Sequence, residues 1–216
     1  SYFVAAEREN EIGPYTMPDA EISRLTAERG TAPSDRQVNP NELTSHNFRA
    51  NLRAGLGENF TLDVTSGYSD RQLYSAFEGT FFGGMTFQYI TGPGNRNSVN
   101  GLQREFVGDI FSIENSLSSR RLTGSVAANW TPLSWLTARG TVGLDQANHF
   151  GYRLQRRGEG TRVGQVWGPT AQEGGRDFSR ADVTRITVDL GGTATWQATE
   201  NLSTRTSVGL QWFNDK

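Results

Sequence analysis

Apolar and polar residues alternate along several stretches of this chain, and the stretches come in pairs joined by tight turns. Phe48, Ala50, Leu52, Ala54 and Leu56 alternate with Asn47, Arg49, Asn51, Arg53 and Gly55. After Gly57 to Asn59 the rhythm resumes, with Phe60, Leu62, Val64, Ser66 and Tyr68 against Thr61, Asp63, Thr65, Gly67 and Ser69. A second pair sets Leu122, Gly124, Val126, Ala128 and Trp130 against Arg121, Thr123, Ser125, Ala127 and Asn129, then Leu136, Ala138, Gly140, Val142 and Leu144 against Thr137, Arg139, Thr141, Gly143 and Asp145. A third sets Ile186, Val188, Leu190, Gly192, Ala194 and Trp196 against Arg185, Thr187, Asp189, Gly191, Thr193 and Thr195. Its second half sets Val208, Leu210 and Trp212 against Arg205, Ser207, Gly209 and Gln211, and Phe213 breaks the pattern. Alternation of this kind marks a β-strand with one oily and one wet face, and each pair reads as a hairpin. Tyr2 to Glu9 adds a short strand of ambiguous facing.

The three turns share one template: Gly57-Glu58-Asn59-Phe60-Thr61, Leu133-Ser134-Trp135-Leu136-Thr137 and Thr199-Glu200-Asn201-Leu202-Ser203. The connections between hairpins are long by contrast, covering residues 10–46, 73–117 and 149–180. This layout predicts an all-β fold, an antiparallel transmembrane β-barrel segment of about seven strands with short periplasmic turns and long extracellular loops. Strands of ten or more residues suit a membrane better than a soluble sheet, whose commonest strand has about five or six. At about 3.3 Å per residue and a tilt near 45°, ten residues cover the roughly 25 Å apolar band of an outer membrane.

On this reading Trp130, Trp135 and Trp196 sit beside the short turns at one headgroup level, and Tyr68 lies near the opposite one. Arg49, Arg53, Asp63, Arg121, Arg139, Asp145, Arg185, Asp189 and Arg205 line the lumen. On the lipid face each would cost about 2–4 kcal/mol at mid-bilayer. Periodicity alone leaves two alternatives open. One is a soluble β-sandwich that binds carbohydrate, its polar face solvated and its tryptophans capping a core. The other is a complete eight-strand envelope barrel of structural or adhesive role, its eighth strand hidden in residues 73–117.

Composition narrows the class. The chain is 35% hydrophobic and 20% charged with 25 glycines, too polar for a helical membrane protein. Its longest apolar run, Tyr2-Phe3-Val4-Ala5-Ala6, falls far short of the roughly 20 residues of a transmembrane helix. Cysteine is absent, which fits a bacterial envelope protein held by a hydrogen-bonded sheet. A net charge of −2 argues against a broad nucleic-acid-binding surface. No signal segment opens the chain at Ser1, and Lys216 follows a strand directly, so the expectation is a piece of a longer protein.

Candidate chemistry is sparse. The first long connection holds Pro14, Pro18, Pro33 and Pro40 and predicts a short helix between Pro18 and Gly30. The second carries Phe77, Phe81, Phe82, Phe87, Tyr89, Phe106 and Phe111 among glycines. So many rings in one loop pack on one another, contact a partner or stack on a ligand, and Phe77, Phe81, Phe82, Phe87 and Tyr89 are the candidate substrate or lid contacts. The third looks solvated, with Arg153, Arg156, Arg157, Arg162, Arg176 and Arg180 against Glu159, Glu173 and Asp177. His46 and His149 fall near outer strand ends without a nucleophile or acid at motif spacing, and no metal-ligand spacing occurs, so neither an enzyme nor a bound cofactor is expected. Gly158 to Gly164 misses the dinucleotide fingerprint by one residue. Three sequon matches, at Asn59, Asn129 and Asn201, fall at the tight turns and have no use in a bacterial envelope.

The stretch Trp130-Thr131-Pro132-Leu133-Ser134-Trp135-Leu136, running on to Gly143-Leu144-Asp145, resembles the barrel of SusC/RagA-type TonB-linked outer-membrane transporters. So do Phe48-Arg49-Ala50-Asn51-Leu52 with the following hairpin, and Tyr2-Phe3-Val4 as the start of a preceding strand. The resemblance implies a bacterial outer-membrane location among lipids and a large barrel holding a plug. It implies import of oligosaccharides or peptides driven through TonB, and a SusD-type lipoprotein lid. Residues 1–216 are then a partial barrel domain, with the plug and remaining strands outside it.

Overall fold

The computed structural model describes residues 1–78, 84–92, 106–159 and 173–216. Phe81, Phe82, Arg162 and most of the Gly158 to Gly164 stretch lie outside the described residues. The strands are β1 (Tyr2–Ile12), β2 (Glu42–Gly55), β3 (Phe60–Ser75), β4 (Glu114–Leu133), β5 (Leu136–Gln155), β6 (Gly175–Thr199) and β7 (Leu202–Asp215). They form one seven-stranded sheet in chain order, every neighbouring pair antiparallel. β1 and β7 are its two edges. Among the described residues there is neither a second sheet, as a sandwich requires, nor an eighth strand.

Register converts the sequence rhythm into rows across the sheet. Tyr2, Leu52, Val64, Val126, Val142, Val188 and Trp212 stand opposite one another on the seven strands. One position along, Phe3, Asn51, Thr65, Ser125, Gly143, Thr187 and Phe213 make the matching row on the other face. A slip of one residue between any two strands would mix these faces, so the alternation itself pins the pairing. The short turns hold the register too. Leu56 donates its N–H to the Phe60 carbonyl at 2.9 Å around Gly57, whose φ of 73° favours glycine. The other two turns follow irregularities between Trp130 and Leu133 and between Gln197 and Thr199.

The strands run much further than the alternation predicts. β4 and β5 have 20 residues each and β6 has 25. The expected connections at 10–46, 73–117 and 149–180 shrink to residues 13–41, 76–113 and 156–174. Past the apolar band apolar residues such as Leu73, Leu117, Phe150 and Phe178 no longer keep to one face, so pairing continues where hydropathy carries no regular period. His46 and His149 accordingly lie within β2 and β5, and Arg153, Arg176 and Arg180 belong to strands instead of a loop.

The helices α1 (Asp19–Arg29), α2 (Asp35–Val38), α3 (Met85–Thr91) and α4 (Val107–Phe111) all lie in the connections. α1 occupies the interval expected between Pro18 and Gly30. Asp19 and Glu21 in its first turn and Arg29 in its last complement the helix dipole, and Gly30 ends it at φ 74°. Ser34 and Gln37 cap α2 reciprocally. The buried apolar cluster belongs to these loop segments: Met17, Leu25, Ala76, Met85, Ile110 and Phe111, with Tyr15, Ile22, Val38, Phe77 and Val107 packed around it. The sheet, in contrast, leaves its apolar face bare.

Candidate functional site

The polar face gathers the charges that the sequence assigns to it. Arg53 pairs with Asp63 at 3.3 Å. Arg121 donates to Asp145 at 2.8 Å, and Arg185 to Asp215 at 2.6 Å. Among the described residues Arg49, Arg139, Asp189 and Arg205 have no ion-pair partner. A trough of about 570 Å³ runs along this face between β1 and β4, lined by Glu7, Asn47, Arg49, Asn51, Arg121 and Thr123 among others. Gly67 also lines it, and a Cβ there would stand 2.8 Å from the Thr123 hydroxyl. Exposed pairs such as these contribute about 0–1 kcal/mol each. The surface is therefore an exposed charged face that offers many weak polar contacts.

The opposite face is apolar and uncovered. Val142, Leu190 and Trp130 are 52%, 52% and 51% exposed, and Leu52, Val126, Trp135 and Trp196 are nearly as open. A monomeric soluble protein rarely presents so broad an apolar surface. The band is closed by a polar row of Arg8, His46, Asp70, Arg120, Asn148 and Asp182, beyond which Phe150 and Phe178 are again exposed. In that row Arg120 reaches Asp70 at 3.5 Å, and the Asn148 amide donates to Asp182 at 2.6 Å. Tyr68, flanked by Phe48 and Leu122, sits just inside that boundary, while Trp130, Trp135 and Trp196 mark the turn end. From Ile186 to Trp196 the band spans about 23 Å at 3.3 Å per residue and 45° tilt, close to an outer-membrane thickness.

The loop helices and strand ends form a cap joined by charge. Arg24 binds Glu21 at 2.8 Å, Glu28 at 3.0 Å and Asp109 at 3.1 Å, with its guanidinium 4.3 Å from the Phe106 ring centre. Arg29 reaches Asp109 at 3.7 Å, Glu159 at 3.9 Å and the Ser112 hydroxyl at 2.8 Å. Gln37 donates to Glu159 at 2.8 Å, and the Gly108 N–H to Glu21 at 3.1 Å. All three long connections therefore meet. Burial pushes the Asp109 carboxyl above its ordinary value against the pull of Arg24 and Arg29, and burial lowers Arg29. Burial also acts to lower Arg24, but its bonds to Glu21 and Asp109 outweigh that and hold it above its usual value.

Of the loop aromatics, Phe77 packs on the cluster with the Arg153 guanidinium 4.9 Å from its ring centre. Phe87 is half-buried in α3, and Tyr89 is exposed. Tyr89 lines a cavity of about 370 Å³ with Tyr15, Met85, Val107 and Phe111. The Glu78 carboxylate beside Tyr15 pushes its hydroxyl above the usual tyrosine value. Mutual packing thus accounts for Phe77 and Phe111, and Tyr89 remains open to a visitor. Sequence reasoning missed the Arg24–Asp109 and Arg29–Glu159 links. Spacing exposes only the local Glu21–Arg24–Glu28 ladder of α1, because Asp109 and Glu159 are distant in the chain. No cluster of three or more potential metal ligands occurs among the described residues.

A single antiparallel sheet with one bare apolar face, one charged face and a structured cap at one end defines a section of barrel wall. No family model matches the sequence, and none of the curated proteins does. Among solved structures the chain is similar to the RagAB peptide transporter, with a TM-score of 0.61 and 17% identity over 82% of this chain and 21% of that one. A RagAB peptide importer in its closed-closed state gives a TM-score of 0.60 and 15% identity over 80% of this chain and 20% of that one. The likeness is one of fold, and the chain spans about a fifth of the length of those structures.

Proposed function

We propose that this chain is a wall section of an outer-membrane, TonB-dependent importer of the SusC/RagA type, with a non-catalytic role in moving peptides or oligosaccharides inward. One observation carries the reading. Seven paired strands present a continuous uncovered apolar face whose height matches an outer membrane, backed by a charged face. The likeness in fold to the RagAB peptide transporter favours peptide as the cargo. In this reading the bare face meets acyl chains, the trough around Arg49 and Arg121 lines the route, and the cap faces outward beneath a lipoprotein lid. Tyr89 and the open cavity beside it are the candidate contact for cargo or lid.

Register supplies a paired test in the intact protein. Spin labels at Leu52, Val126 and Val188 share one row, and labels at Asn51, Ser125 and Thr187 share the row behind it. The first set is expected to be accessible to oxygen and shielded from polar relaxants, the second the reverse. Water contact at both sets would overturn the proposal.

A further inference from the structure

We propose that the outer face carries a binding site for one phosphate-bearing membrane lipid, formed where β1, β2 and β3 cross the upper edge of the apolar band. The inference rests on the membrane reading above and deepens it. Arg8 and His46 stand directly opposite each other in the β1–β2 register, in the polar row that closes the band. Neither has an ion-pair partner among the described residues; Asp70 stands opposite His46 on the other side, but its carboxylate is engaged by Arg120 at 3.5 Å. One step toward the membrane, Ala6, Phe48 and Tyr68 form the next row. A groove of about 340 Å³ joins the two rows, lined by Ala6, Arg8, His46, Phe48 and Tyr68 on this face.

That sequence of groups matches an anionic lipid end-on. A guanidinium grips phosphate oxygens in a forked, charge-assisted geometry, and an imidazole N–H beside it adds a donor. The aromatic floor lies one row below, about 7 Å away, where the first methylenes of an acyl chain would lie. A free phosphate would use only the upper half of the groove, and the apolar floor is what commits the site to a lipid. Cationic side chains at a headgroup boundary attract anionic lipid generally. Phe48 lies directly below His46, whereas Leu122 lies below Arg120 and Asp70 already occupies that guanidinium, and this difference makes the position selective.

The test uses the intact protein in bilayers of equal phosphatidylglycerol and uncharged glucosyl-diacylglycerol, followed by gentle extraction and native mass spectrometry. One phosphatidylglycerol is expected to stay bound, with at least fivefold lower retention in R8A/H46A and in F48A, and intermediate retention in R8K, which keeps the charge but loses the fork. Millimolar inorganic phosphate should not displace it, and displacement would identify a plain phosphate site and overturn the lipid assignment. Equal retention in R8A/H46A and the parent overturns the proposal while leaving the membrane reading intact, provided the Leu52, Val126 and Val188 labels report bilayer. Labels that report water overturn both.

Discussion

Asp109 shows how one carboxylate can tune the cap. Its folded pKa is raised, chiefly by burial, above the roughly 3.9 of an unfolded aspartate. The folded cap therefore binds this proton more readily than the unfolded chain does. The favourable contribution is complete below about pH 4 and is lost as pH rises through the raised folded value. Amide exchange in α1 and α4, corrected for its intrinsic pH dependence, should show protection falling across that window. Asp109→Asn should remove the step, and an unchanged step would assign it to another group. Among single residues, Arg24 has the opposite character, since its three carboxylate partners keep it charged throughout.

At the scale of elements, the cap and the sheet are held by different forces. The cap has a conventional buried cluster around Leu25, Met85 and Phe111 and a shared ion network, while the strands rely on ladders of backbone hydrogen bonds. Arg24→Ala would leave Glu21 and Asp109 buried without their main partner, at a cost of about 3–5 kcal/mol. Hydrogen exchange should then accelerate in α1 and α4 but not in β4 and β5. Equal loss in the strands would mean that cap and sheet unfold as one. The element boundaries also show where sequence stops being informative. The hairpin turns and the α1 interval were legible because glycine, proline and strict alternation mark them locally. The upper halves of β4, β5 and β6 were not, because Ser116 to Ser119 and Arg176 to Arg180 pair through backbone groups that any side chain supplies.

For the whole molecule, the decisive feature is the asymmetry of the sheet's two faces. Val126→Arg puts a charge in the middle of the bare face and should lower folding stability in bilayers by about 2–4 kcal/mol. Ser125→Arg, one residue away on the charged face, should change it by about 0.5 kcal/mol or less. Urea titration of refolding into lipid vesicles measures both, and equal costs would mean that the two faces meet the same solvent. The two edges, β1 and β7, are unpaired among the described residues, and unpaired edges are not tolerated within hydrocarbon. In the proposed membrane setting both edges need partners, and the chain matches about a fifth of the length of the solved transporters it resembles.

Sequence alone determined the two faces, the three hairpins and the placing of three tryptophans at the turn end, because a strand's period is a local property of backbone geometry. It placed Arg53, Asp63, Arg121, Asp145 and Arg185 on one surface for the same reason. Only the tertiary structure decided that strands continue past the apolar band, that Arg24 and Arg29 bind the three connections together, and that Arg8 stands opposite His46 in the register, one row above Phe48. Those outcomes depend on register and on contacts between distant segments, and pairwise proximity of that kind leaves no period in the chain.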